Sequence, residues 1–538
     1  MKRIVDLAKN RGFVFQGSEI YGGLANTWDY GPLGSLLKEN LKNLWIREFV
    51  QRRPDMVLLD AAILMNPQVW VASGHVGGFS DPLVDCKNCH TRHRADKLVE
   101  EEMGMDIATL KNKYLSRLKE RAEWLMEKSE KIDIELQTEY DLNFNTSDEQ
   151  TDRIFNSLQP AEQEYVNEML DKSLKALKTI TRIYEESIKI RKMSLDDFSG
   201  MMLQGLEIKC PDCESFNWTD VKKFNLMFET KQWVTDDSTA KVYLRPETAQ
   251  GIFVDFPHIV RTCRRRVPFG VAQVGKAFRN EITPWNFIFR TREFEQMEIE
   301  FFCEPGTQLE WHEKWKTDCK KFLMETVGIK EQNLRFRQHE ADELSHYSDA
   351  TFDIEYDFPS IGFSELQGIA SRTDFDLNAH MKESKQDMSY FDPVKNTKFV
   401  PYVIEPSIGL TRLFLAALCD AYDTVKDEEG AERIVLRLKP EVAPVKIAVL
   451  PLVKKLNEKA EEVFTMLSKN FMTWYDETGS IGKRYARFDE IGTPWCVTID
   501  FENSLEKNAV TIRHRDTMEQ EVVAIDDLVE YFQKALNT

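Results

Sequence analysis

The sequence predicts an α+β fold, in which an antiparallel sheet with flanking helices is joined by a helical insertion and by a C-terminal α/β domain. Three observations support this prediction. Residues 206–440 alternate short strand-like runs with turns, residues 96–205 carry two long amphipathic stripes, and residues 445–538 alternate strands with helices. A chain of 538 residues is long enough for several domains of this kind.

Composition excludes several classes of protein. Hydrophobic residues make up 42% and charged residues 30% of the chain, which is typical of globular proteins and excludes a disordered chain or a collagen. The apolar runs are shorter than the roughly 20 residues that a membrane span requires. The basic start, Met1–Asp6, is not followed by the apolar core of a secretory signal, so we expect a cytoplasmic protein without membrane contact.

The net charge of −19 disfavours non-specific nucleic-acid binding by the whole surface. Two local basic patches remain candidates for contacts with RNA, although such runs are usually solvated faces. They are Arg264–Arg266, and Lys483 and Arg484 with Arg487.

The first segment, residues 1–95, contains one clear helix. It begins after Gly31–Pro32, a helix start signal, and its leucines recur at helical spacing. These leucines are Leu33, Leu37, Leu41 and Leu44. Pro54 ends this region, and Met56–Leu59 is predicted as a strand.

The segment 96–205 is predicted to be a helical insertion that serves as a solvated spacer. One helical stripe comprises Leu110, Tyr114, Leu118, Ala122 and Leu125. The other comprises Val166, Leu170, Leu174, Leu177, Ile180, Tyr184 and Ile188. The polar stretch from Asn143 to Asp152 is predicted as a loop between them.

The segment 206–440 is predicted to form the antiparallel sheet, with strands at Val271–Val274, Phe287–Phe289 and Phe352–Tyr356 and a closing helix from Leu410 to about Tyr422. Within it, residues 270–277 nearly match a phosphate-binding loop. Ala277 lacks the hydroxyl that such a loop offers to magnesium, and Thr283–Pro284 prevents a long helix from following. We therefore predict a strand that ends at Gly275.

A proline-containing linker, Arg437–Pro444, separates the C-terminal domain. The elements predicted beyond it are a strand at Lys446–Leu450, a helix from about Val453 to Asn470, strands at Cys496–Ile499 and Ala509–Ile512, and a last helix near Asp526–Leu536. This alternation indicates a compact α/β domain.

The stretch 278–300 is predicted to be an antiparallel hairpin around a Pro284–Asn286 turn. Strand alternation places one set of side chains on a common face, namely Arg290, Arg292, Phe294, Gln296, Glu298 and Glu300. A buried face with these charges suits a charged ligand, because guanidinium groups hold phosphate, a ring stacks on a base and carboxylates hold an ammonium. A solvated amphipathic hairpin explains the spacing equally well.

Three motifs in this chain resemble those of class II aminoacyl-tRNA synthetases, in the order of that class. Phe278–Glu281 through Phe294–Glu298 is similar to motif 2, the helix after Gly31–Pro32 to motif 1, and Gly409–Arg412 to motif 3. Within the class, the chain most resembles the homodimeric glycyl-tRNA synthetases, through Trp28–Gly34, Ser73–His75, Leu244–Gly251 and Glu405–Ser407. The likeness spans residues 1–95, 206–440 and the C-terminal domain, and is less distinctive in the insertion.

This resemblance implies a class II synthetase antiparallel sheet, a homodimer, and ATP-dependent attachment of glycine to tRNA(Gly) through a glycyl-adenylate. It implies that Arg279 binds the α-phosphate and the glycine carboxylate, that Arg290 and Arg412 hold the γ-phosphate end, that Phe294 stacks on adenine and that Glu281 contacts its amino group. Glu365 and Leu366 would lie beside ATP and its magnesium. The implied ATP-binding residues are Arg279, Asn280, Glu281, Phe289, Arg290, Thr291, Arg292, Glu293, Phe294, Glu365, Leu366, Gly409, Leu410, Thr411 and Arg412.

The resemblance also implies a glycine pocket, in which Glu247, Glu298 and Glu405 surround the ammonium with Ser407 beside them. Several carboxylates close together favour a bound cation, and a filled pocket excludes a β-carbon. The implied glycine-binding residues are Arg94, Glu247, Phe294, Glu295, Gln296, Met297, Glu298, Arg372, Glu405, Pro406, Ser407, Ile408 and Gly409. The C-terminal domain is implied to bind the anticodon.

Four of the nine cysteines form two pairs with the spacing of zinc knuckles, Cys86 with Cys89 and Cys210 with Cys213. Because the pairs flank the insertion, they would close its base as a four-thiolate structural zinc site. Four free thiols are the alternative, and His90 and His93 are weaker candidate ligands. The other cysteines are predicted to be core residues.

Two alternative functions follow from the same fold. A non-catalytic relative that serves as a nucleic-acid-binding subunit should lack the ATP-gripping arginines, whereas Arg279, Arg290 and Arg412 are all present here. A class II ligase for another amino acid would need a side-chain pocket, and the carboxylate set favours glycine.

Overall fold

The computed structural model of the protein describes residues 1–142, 149–232, 241–281, 287–339, 344, 348–426, 430 and 432–536. Contacts divide the chain into two compact units, Met1–Phe79 with Leu226–Thr538, and Ser80–Asn225. The second unit is wider than the predicted insertion of 96–205, because the strands Ser80–Asp85 and Lys222–Asn225 at its two ends pair with each other.

The first unit is built on a seven-stranded sheet. Its strands are β1 (Met56–Leu59), β2 (Phe269–Phe278), β3 (Glu293–Cys303), β4 (Leu334–Gln338), β5 (Ala350–Phe358), β6 (Gly362–Thr373) and β7 (Tyr402–Gly409). Their order in the sheet is β4-β5-β6-β7-β3-β2-β1. All neighbours are antiparallel except β1 and β2, which are parallel. The predicted antiparallel sheet is thus confirmed.

Four helices position this sheet: α1 (Pro32–Ile46), α2 (Ala249–Cys263), α3 (Phe375–Ser384) and α4 (Leu410–Ala421). Helix α1 begins at Pro32 and buries the predicted leucines, and α4 begins at Leu410, as predicted. It follows β7 without a loop. Along β3, Met297 and Ile299 face the core that contains α1 and α4, while Phe302 packs in the cluster that contains α2. This alternation leaves Glu298 and Glu300 on the α2 side of the sheet.

The first unit has further helices and strands before its C-terminal domain. The helices are Lys2–Asn10, Pro67–Ala72, His75–Gly78 and Gln308–Lys321. The strands are Val14–Gln16, Trp28–Tyr30, Glu229–Lys231, Lys241–Tyr243, Tyr390–Asp392, Thr397–Phe399, Tyr422–Lys426 and Glu432–Leu436.

Two predictions about the hairpin were wrong in detail. The strand predicted at Phe287–Phe289 is a turn, in which Phe287 has a φ of 60°, and β3 begins only at Glu293. Strand β2 continues past Gly275 to Phe278, because its pairing with β3 extends to Glu293. The predicted Pro284–Asn286 turn lies outside the described residues.

The C-terminal domain has a five-stranded mixed sheet, as the predicted α/β alternation requires. In spatial order its strands are Thr473–Tyr475, Ile447–Pro451, Trp495–Ile499, Ala509–His514 and Gln520–Ala524. The first three are parallel and the last two antiparallel to their neighbours. Its helices are Asn457–Leu467, Ile481–Glu490 and Leu528–Leu536.

The second unit combines a three-stranded sheet, Ser80–Asp85, Arg92–Arg94 and Lys222–Asn225, with five helices among its described residues. The helices are Ala95–Met103, Ile107–Tyr140, Glu149–Ser157, Pro160–Lys192 and Leu195–Gly205. The two long helices pack side by side, and Ser129 Oγ lies 2.7 Å from Ser173 Oγ between them. The helix that begins at Glu149 overlaps the predicted loop of 143–152, whose first six residues lie outside the described residues.

The stripe predicted along the second long helix was partly wrong. Leu174, Leu177, Tyr184 and Ile188 are about half exposed. The buried seam of this helix instead uses Val166, Met169, Ser173, Ile180, Ile183 and Ile190. Two adjacent apolar stripes share the helix, and only one faces its partner. The first helix follows its prediction, since Leu110, Leu118 and Ala122 are buried.

None of the helices within the described residues combines the length and apolarity that a bilayer crossing requires.

Candidate active site

A cavity of about 390 Å³ lies over the centre of the seven-stranded sheet. Its walls come from β3, β5, β6 and β7, from the segment after β2 and from the first turn of α4. The residues that line it are Glu247, Arg279, Glu281, Phe289, Arg290, Thr291, Phe294, Gln296, Glu298, His339, Thr351, Asp353, Glu365, Leu366, Gly368, Ile369, Ala370, Arg372, Glu405, Ser407, Gly409, Thr411 and Arg412. Arg290 and Arg412 lie at one end, beside Glu281 and Glu365, and buried carboxylates surround Arg372 at the other.

Arg279 lines the cavity and directly follows β2. Its guanidinium carbon lies 5.3 Å from the ring centre of Phe294 and 5.4 Å from that of Phe79. Its Nε donates to the main-chain oxygen of Pro246 at 3.1 Å, and its main-chain nitrogen donates to Arg292 at 2.9 Å. The side chain is therefore held at its base while its terminal nitrogens face the cavity.

Two further arginines form the cationic end. Arg412, in the first turn of α4, donates from Nη1 to the main-chain oxygen of Glu365 at 2.9 Å, and its guanidinium carbon lies 4.8 Å from the ring centre of Phe289. Arg290 lies 4.0 Å from the Glu281 carboxylate. Such planar cations are suited to bidentate recognition of phosphate.

The opposite end is a cluster of buried carboxylates arranged around one guanidinium. Arg372 forms two hydrogen bonds with Asp376, at 2.7 and 2.9 Å, and a third with Glu405 at 2.9 Å. Glu298 accepts a hydrogen bond from Thr248 Oγ1 at 2.5 Å. Glu298 pairs with Ser407 across β3 and β7, which brings the two predicted glycine contacts to one place.

Burial and mutual repulsion separate the ionisation of these acids. Burial raises the pKa of Glu298, and the charge of Glu247 raises it further. Burial likewise raises the pKa of Glu405 to about 8, against the opposing effect of Arg372. Burial also opposes ionisation of Glu247, but His75, Arg372 and the amide of Gln250 together lower its pKa. The cluster therefore favours a cationic ligand, which would relieve the repulsion.

His75 contacts the cluster from the short helix His75–Gly78. Its Nε2 lies 3.3 Å from the Glu247 carboxylate, and its Nδ1 lies 2.8 Å from Ser73 Oγ. In the sequence, Ser73–His75 only contributes to the family resemblance and has no predicted role. The structure makes His75 a neighbour of the carboxylate cluster.

Six other residues that line the cavity were missed by sequence reasoning, namely His339, Thr351, Asp353, Gly368, Ile369 and Ala370. His339 Nε2 lies 2.7 Å from Asp353, and Asp353 faces Glu365 across Gly368. A methyl group added at Gly368 would lie 3.6 Å from a Glu365 oxygen and 3.7 Å from an Asp353 oxygen. Carboxylate oxygens are the ligands that Mg²⁺ prefers. In the sequence, Asp353 stood only within a predicted strand.

The structure brings most of the implied site residues to the cavity but separates others from it. The resemblance implied unbroken runs of site residues, and some residues in these runs do not line the cavity. They are Asn280, Arg292, Glu293, Glu295, Met297, Pro406, Ile408 and Leu410. Met297, Ile408 and Leu410 are core residues, and Glu295 pairs with Lys38 at 2.5 Å. Alternation along β3 and β7 explains the separation, because neighbouring side chains face opposite sides of the sheet.

Arg94 belongs to the second unit. There its guanidinium forms ion pairs with Asp81 at 2.9 Å and Asp96 at 2.6 Å.

The four knuckle cysteines converge in the second unit. Cys86 Sγ lies 3.5 Å from Cys213 Sγ, and Cys89 Sγ lies 3.7 Å from Cys210 Sγ, with all four sulfurs within 4.8 Å of one another. A tetrahedral zinc with bonds of about 2.3 Å places its sulfurs about 3.8 Å apart, so the donor set fits this metal.

The two knuckles have the same backbone geometry. His90 donates its main-chain N–H to Cys86 at 2.9 Å, and Glu214 donates to Cys210 at 2.8 Å. Both His90 and Glu214 have positive φ, at 62° and 58°. His93 lies 3.8 Å from Cys210 Sγ and also contacts Asp212, so it stands beside the thiolate cluster.

One of the predicted basic patches, Lys483 and Arg484 with Arg487, is only partly exposed. Arg484 is only 2% exposed and donates to the main-chain oxygens of Pro451 and Asp476, while Arg487 pairs with Asp476. Part of this basic run therefore stabilises the fold through hydrogen bonds and an ion pair. Arg264 and Arg266 are exposed.

Comparisons with known proteins agree with this geometry. Residues 228–422 match the tRNA synthetase class II core domain (G, H, P, S and T), residues 81–226 the glycyl-tRNA synthetase insertion domain 1, and residues 446–535 an anticodon binding domain. A solved structure of prolyl-tRNA synthetase from Cryptosporidium parvum, complexed with L-proline and AMP, shares the fold with a TM-score of 0.54 and 12% identity, covering 99% of this chain and 77% of that chain.

Curated relatives are much more similar in sequence. A glycine–tRNA ligase of Acetivibrio thermocellus is 52% identical, covering 99% of this chain and 98% of the relative. One of Clostridium acetobutylicum is 51% identical, covering 100% of this chain and 98% of the relative. With this identity over its full length and a class II core that carries its cavity, the chain belongs to the glycine–tRNA ligase family of class II aminoacyl-tRNA synthetases.

Proposed function

We propose that this chain attaches glycine to tRNA(Gly) at the expense of ATP, through a glycyl-adenylate. One observation carries the proposal: a single cavity is lined by three arginines, Arg279, Arg290 and Arg412, and by a cluster of buried carboxylates. That combination suits a nucleoside triphosphate next to a small amino acid.

In the first step, a glycine carboxylate oxygen attacks the α-phosphorus of ATP and pyrophosphate leaves. Arg279 neutralises the charge that develops at the α-phosphate and orients the attacking carboxylate. Arg290 and Arg412 hold the γ-phosphate end. In the second step, a terminal hydroxyl of the tRNA attacks the glycyl carbonyl carbon, and AMP leaves.

Glu247, Glu298 and Glu405 hold the glycine ammonium, with Ser407 beside them. Because glycine has no side chain to grip, selection depends on excluding a β-carbon from this space. His75 and Arg372 lower the pKa of Glu247 in spite of its burial. At least one carboxylate is therefore ionised before the ammonium arrives.

Asp353 and Glu365 are suited to hold the magnesium that accompanies ATP, because an oxygen of each lies within 3.7 Å of the position that a Cβ at Gly368 would take. When bound, the ion supplies charge neutralisation to the phosphates. His339 fixes Asp353, and Arg412 fixes the main chain at Glu365.

We also propose a structural zinc ion in the second unit, held by Cys86, Cys89, Cys210 and Cys213. The sulfur spacings and the paired knuckle turns support it. The ion would cross-link the two chain segments at the base of the insertion.

We further propose a cytoplasmic homodimer. Ile20 and Tyr21 are 88% and 87% exposed, in the chain segment just before the helix that resembles motif 1, the dimer element of class II synthetases. Exposed large apolar groups of this kind favour a protein contact. Light scattering of the purified chain should give twice the mass of the chain, and a monomer would contradict the proposal.

The experiment that tests the function is pyrophosphate exchange into ATP, with each amino acid supplied in turn and Arg279→Ala as the control. We expect exchange with glycine alone, and none in the variant. Exchange with another amino acid would keep the class but overturn the glycine pocket. No exchange from a folded protein would favour a non-catalytic synthetase-like subunit.

A further inference from the structure

Glu300 is a buried acid directly beneath the glycine end of the cavity, and the proposed reaction assigns it no role. Its side chain is 0% exposed. It lies two residues beyond Glu298 on β3 and therefore on the same face. The registered pairs Glu298–Ser407 and Phe301–Ile404 bracket it and place it opposite Glu405 on β7. Carboxylate oxygens of Glu298, Glu300 and Glu405 lie within 4.8 Å of one another.

Neither oxygen of Glu300 accepts a hydrogen bond from any donor within the described part of the chain. The guanidinium of Arg372, whose charge acts on Glu300, is already bonded to Asp376 and Glu405. An ionised carboxylate in this position would be buried without a partner, which is very unfavourable. Two facing carboxyl groups can bond only if one of them carries a proton, because the ionised form only accepts.

The charged groups around Glu300 come from every element packed on this face. They are Glu298 on β3, Glu405 on β7, Arg372 on β6, Asp376 on α3, Glu247 before α2 and His75 beyond Glu247. The acids outnumber the cations, so a proton in this cluster reduces the repulsion. Glu405 is the acid that must remain ionised, since it accepts from Arg372 and faces the cavity.

We propose that Glu300 is a neutral carboxylic acid that positions Glu405 by donating its O–H to one oxygen of the Glu405 carboxylate. Glu405 then stays ionised and oriented between Arg372 and the glycine ammonium. The Glu300 proton is held and not transferred. The inference rests on the proposed function only for the identity of the ammonium, and Glu300 acts through Glu405 as a positioning residue.

The electrostatics of the cluster agree with this assignment. Burial raises the pKa of Glu300 well above its usual range, and the charge of Glu405 adds to the effect. Burial raises the pKa of Glu405 to about 8, and the hydrogen bond from Glu300 opposes that rise. Both pKa values are raised, so the pair holds a proton at neutral pH, and the hydrogen bond that Glu405 accepts from Arg372 leaves this proton on Glu300.

The experiment compares Glu300→Gln with Glu300→Leu. Both variants are neutral and of similar size, but only glutamine can donate a hydrogen bond to Glu405. We expect KM for glycine in pyrophosphate exchange to stay within about threefold of wild type for Glu300→Gln, and to rise about tenfold or more for Glu300→Leu, since a charge-assisted bond is lost. Glu405→Gln, which removes the charge itself, should raise KM at least as much.

Infrared spectroscopy of the full-length protein supplies an independent readout. Wild type should show the carbonyl stretch of a protonated carboxylic acid at about pH 9, above the pKa of about 8 of Glu405, and Glu300→Gln should lack it. If Glu300→Leu does not fold, the proposal is still tested by this infrared comparison and by the KM of Glu300→Gln for glycine.

The proposal is overturned if Glu300→Gln loses glycine affinity as severely as Glu405→Gln, if the two Glu300 variants behave alike, or if the infrared band is unchanged in Glu300→Gln. Failure of the proposed function looks different. In that case wild type would show no glycine-dependent exchange, while the infrared band would still report the protonation of Glu300.

Discussion

The Nε2 atom of His75 lies 3.3 Å from the carboxylate of Glu247, at the edge of the buried acid cluster. The other ring nitrogen lies 2.8 Å from Ser73 Oγ, so the ring is fixed from both sides. Burial raises the pKa of Glu247, and His75 is the largest of the influences that lower it below its usual range. A residue that the sequence marks only by resemblance thus controls the ionisation of a predicted ammonium contact.

We predict that His75→Ala weakens glycine binding most strongly at acid pH. Glu247 holds the ammonium only when it is ionised, and its depressed pKa keeps it ionised as pH falls. Without His75 the pKa of Glu247 rises, so KM for glycine should begin to increase at a higher pH than in wild type. The measurement is KM for glycine in pyrophosphate exchange from about pH 5 to about pH 8.

Ser73→Ala is the matched control, because it removes the hydrogen bond to Nδ1 and leaves the imidazole beside Glu247. It should shift the profile less than His75→Ala. An unchanged pH profile in His75→Ala would show that Arg372 and Gln250 suffice to keep Glu247 ionised.

We predict that Arg279→Lys lowers kcat of pyrophosphate exchange about hundredfold. Lysine keeps the charge but loses the planar fork that can contact the α-phosphate and the glycine carboxylate together, and removal of one preorganised donor costs about 10²–10³ in rate. Steady-state exchange kinetics with saturating ATP and glycine measure the effect.

The control for this variant is Arg261→Lys, a change at an exposed arginine near the end of α2 that lies outside the cavity. It should leave kcat unchanged. An Arg279→Lys variant with wild-type kcat would mean that a point charge suffices at this position, which contradicts the assigned geometry.

The sequence was informative where a local rule decides the outcome. Helix α1 was predicted from Pro32 and its leucines, and the sheet around β2 and β3 from strand alternation, and both are confirmed. The roles of individual residues remain predictions, but alternation along β3 already separates Glu298, in the cavity, from Met297, in the core. A family motif that is matched as an unbroken run of residues does not distinguish cavity residues from core residues.

Other features depend on contacts distant in sequence, which local patterns do not encode. His75 meets Glu247 across more than 170 residues of chain, and Asp353 meets His339 through the pairing of β4 and β5. Arg484 looked like part of a basic surface because its neighbours are charged, yet its guanidinium is buried against main-chain oxygens of the strand end at Pro451. On the helix Pro160–Lys192, two apolar stripes were available and only packing selects one.

We predict that the purified chain holds about one zinc ion per chain and that Cys89→Ser abolishes it. A structural zinc stabilises the segments that it joins, so the variant should also lower the melting temperature of the insertion. Elemental analysis and calorimetry measure the two effects. Pyrophosphate exchange should persist, since the cavity lies in the other unit.

Cys263→Ser is the matched control, because Cys263 belongs to no cysteine pair and is exposed, so its predicted place in the core was wrong. It should retain the metal. Two results together would favour four free thiols. They are zinc-free wild-type protein from cells supplied with zinc, and an unchanged melting temperature in Cys89→Ser.

We predict that Gly275→Ala destabilises the first unit by about 1–3 kcal/mol, the usual cost of inserting a methyl group into a packed site. An added Cβ would meet the guanidinium of Arg245, with its carbon at 3.2 Å and a nitrogen closer still. Arg245 is 2% exposed and cannot withdraw freely, because it donates to the main-chain oxygens of Lys276 and Ala61 at 2.7 Å each. The glycine of the near match to a phosphate-binding loop is thus required by packing.

Chemical unfolding followed by tryptophan fluorescence measures this effect, with Gly482→Ala as the control. Gly482 lies within the helix Ile481–Glu490, and an added Cβ there meets no atom within 4 Å. Alanine is favoured over glycine inside a helix, so this variant should be as stable as wild type or more stable by about 0.5–1 kcal/mol. Equal stability of Gly275→Ala and wild type would mean that Arg245 moves aside without losing its two carbonyl partners, and the close approach would then not explain the glycine.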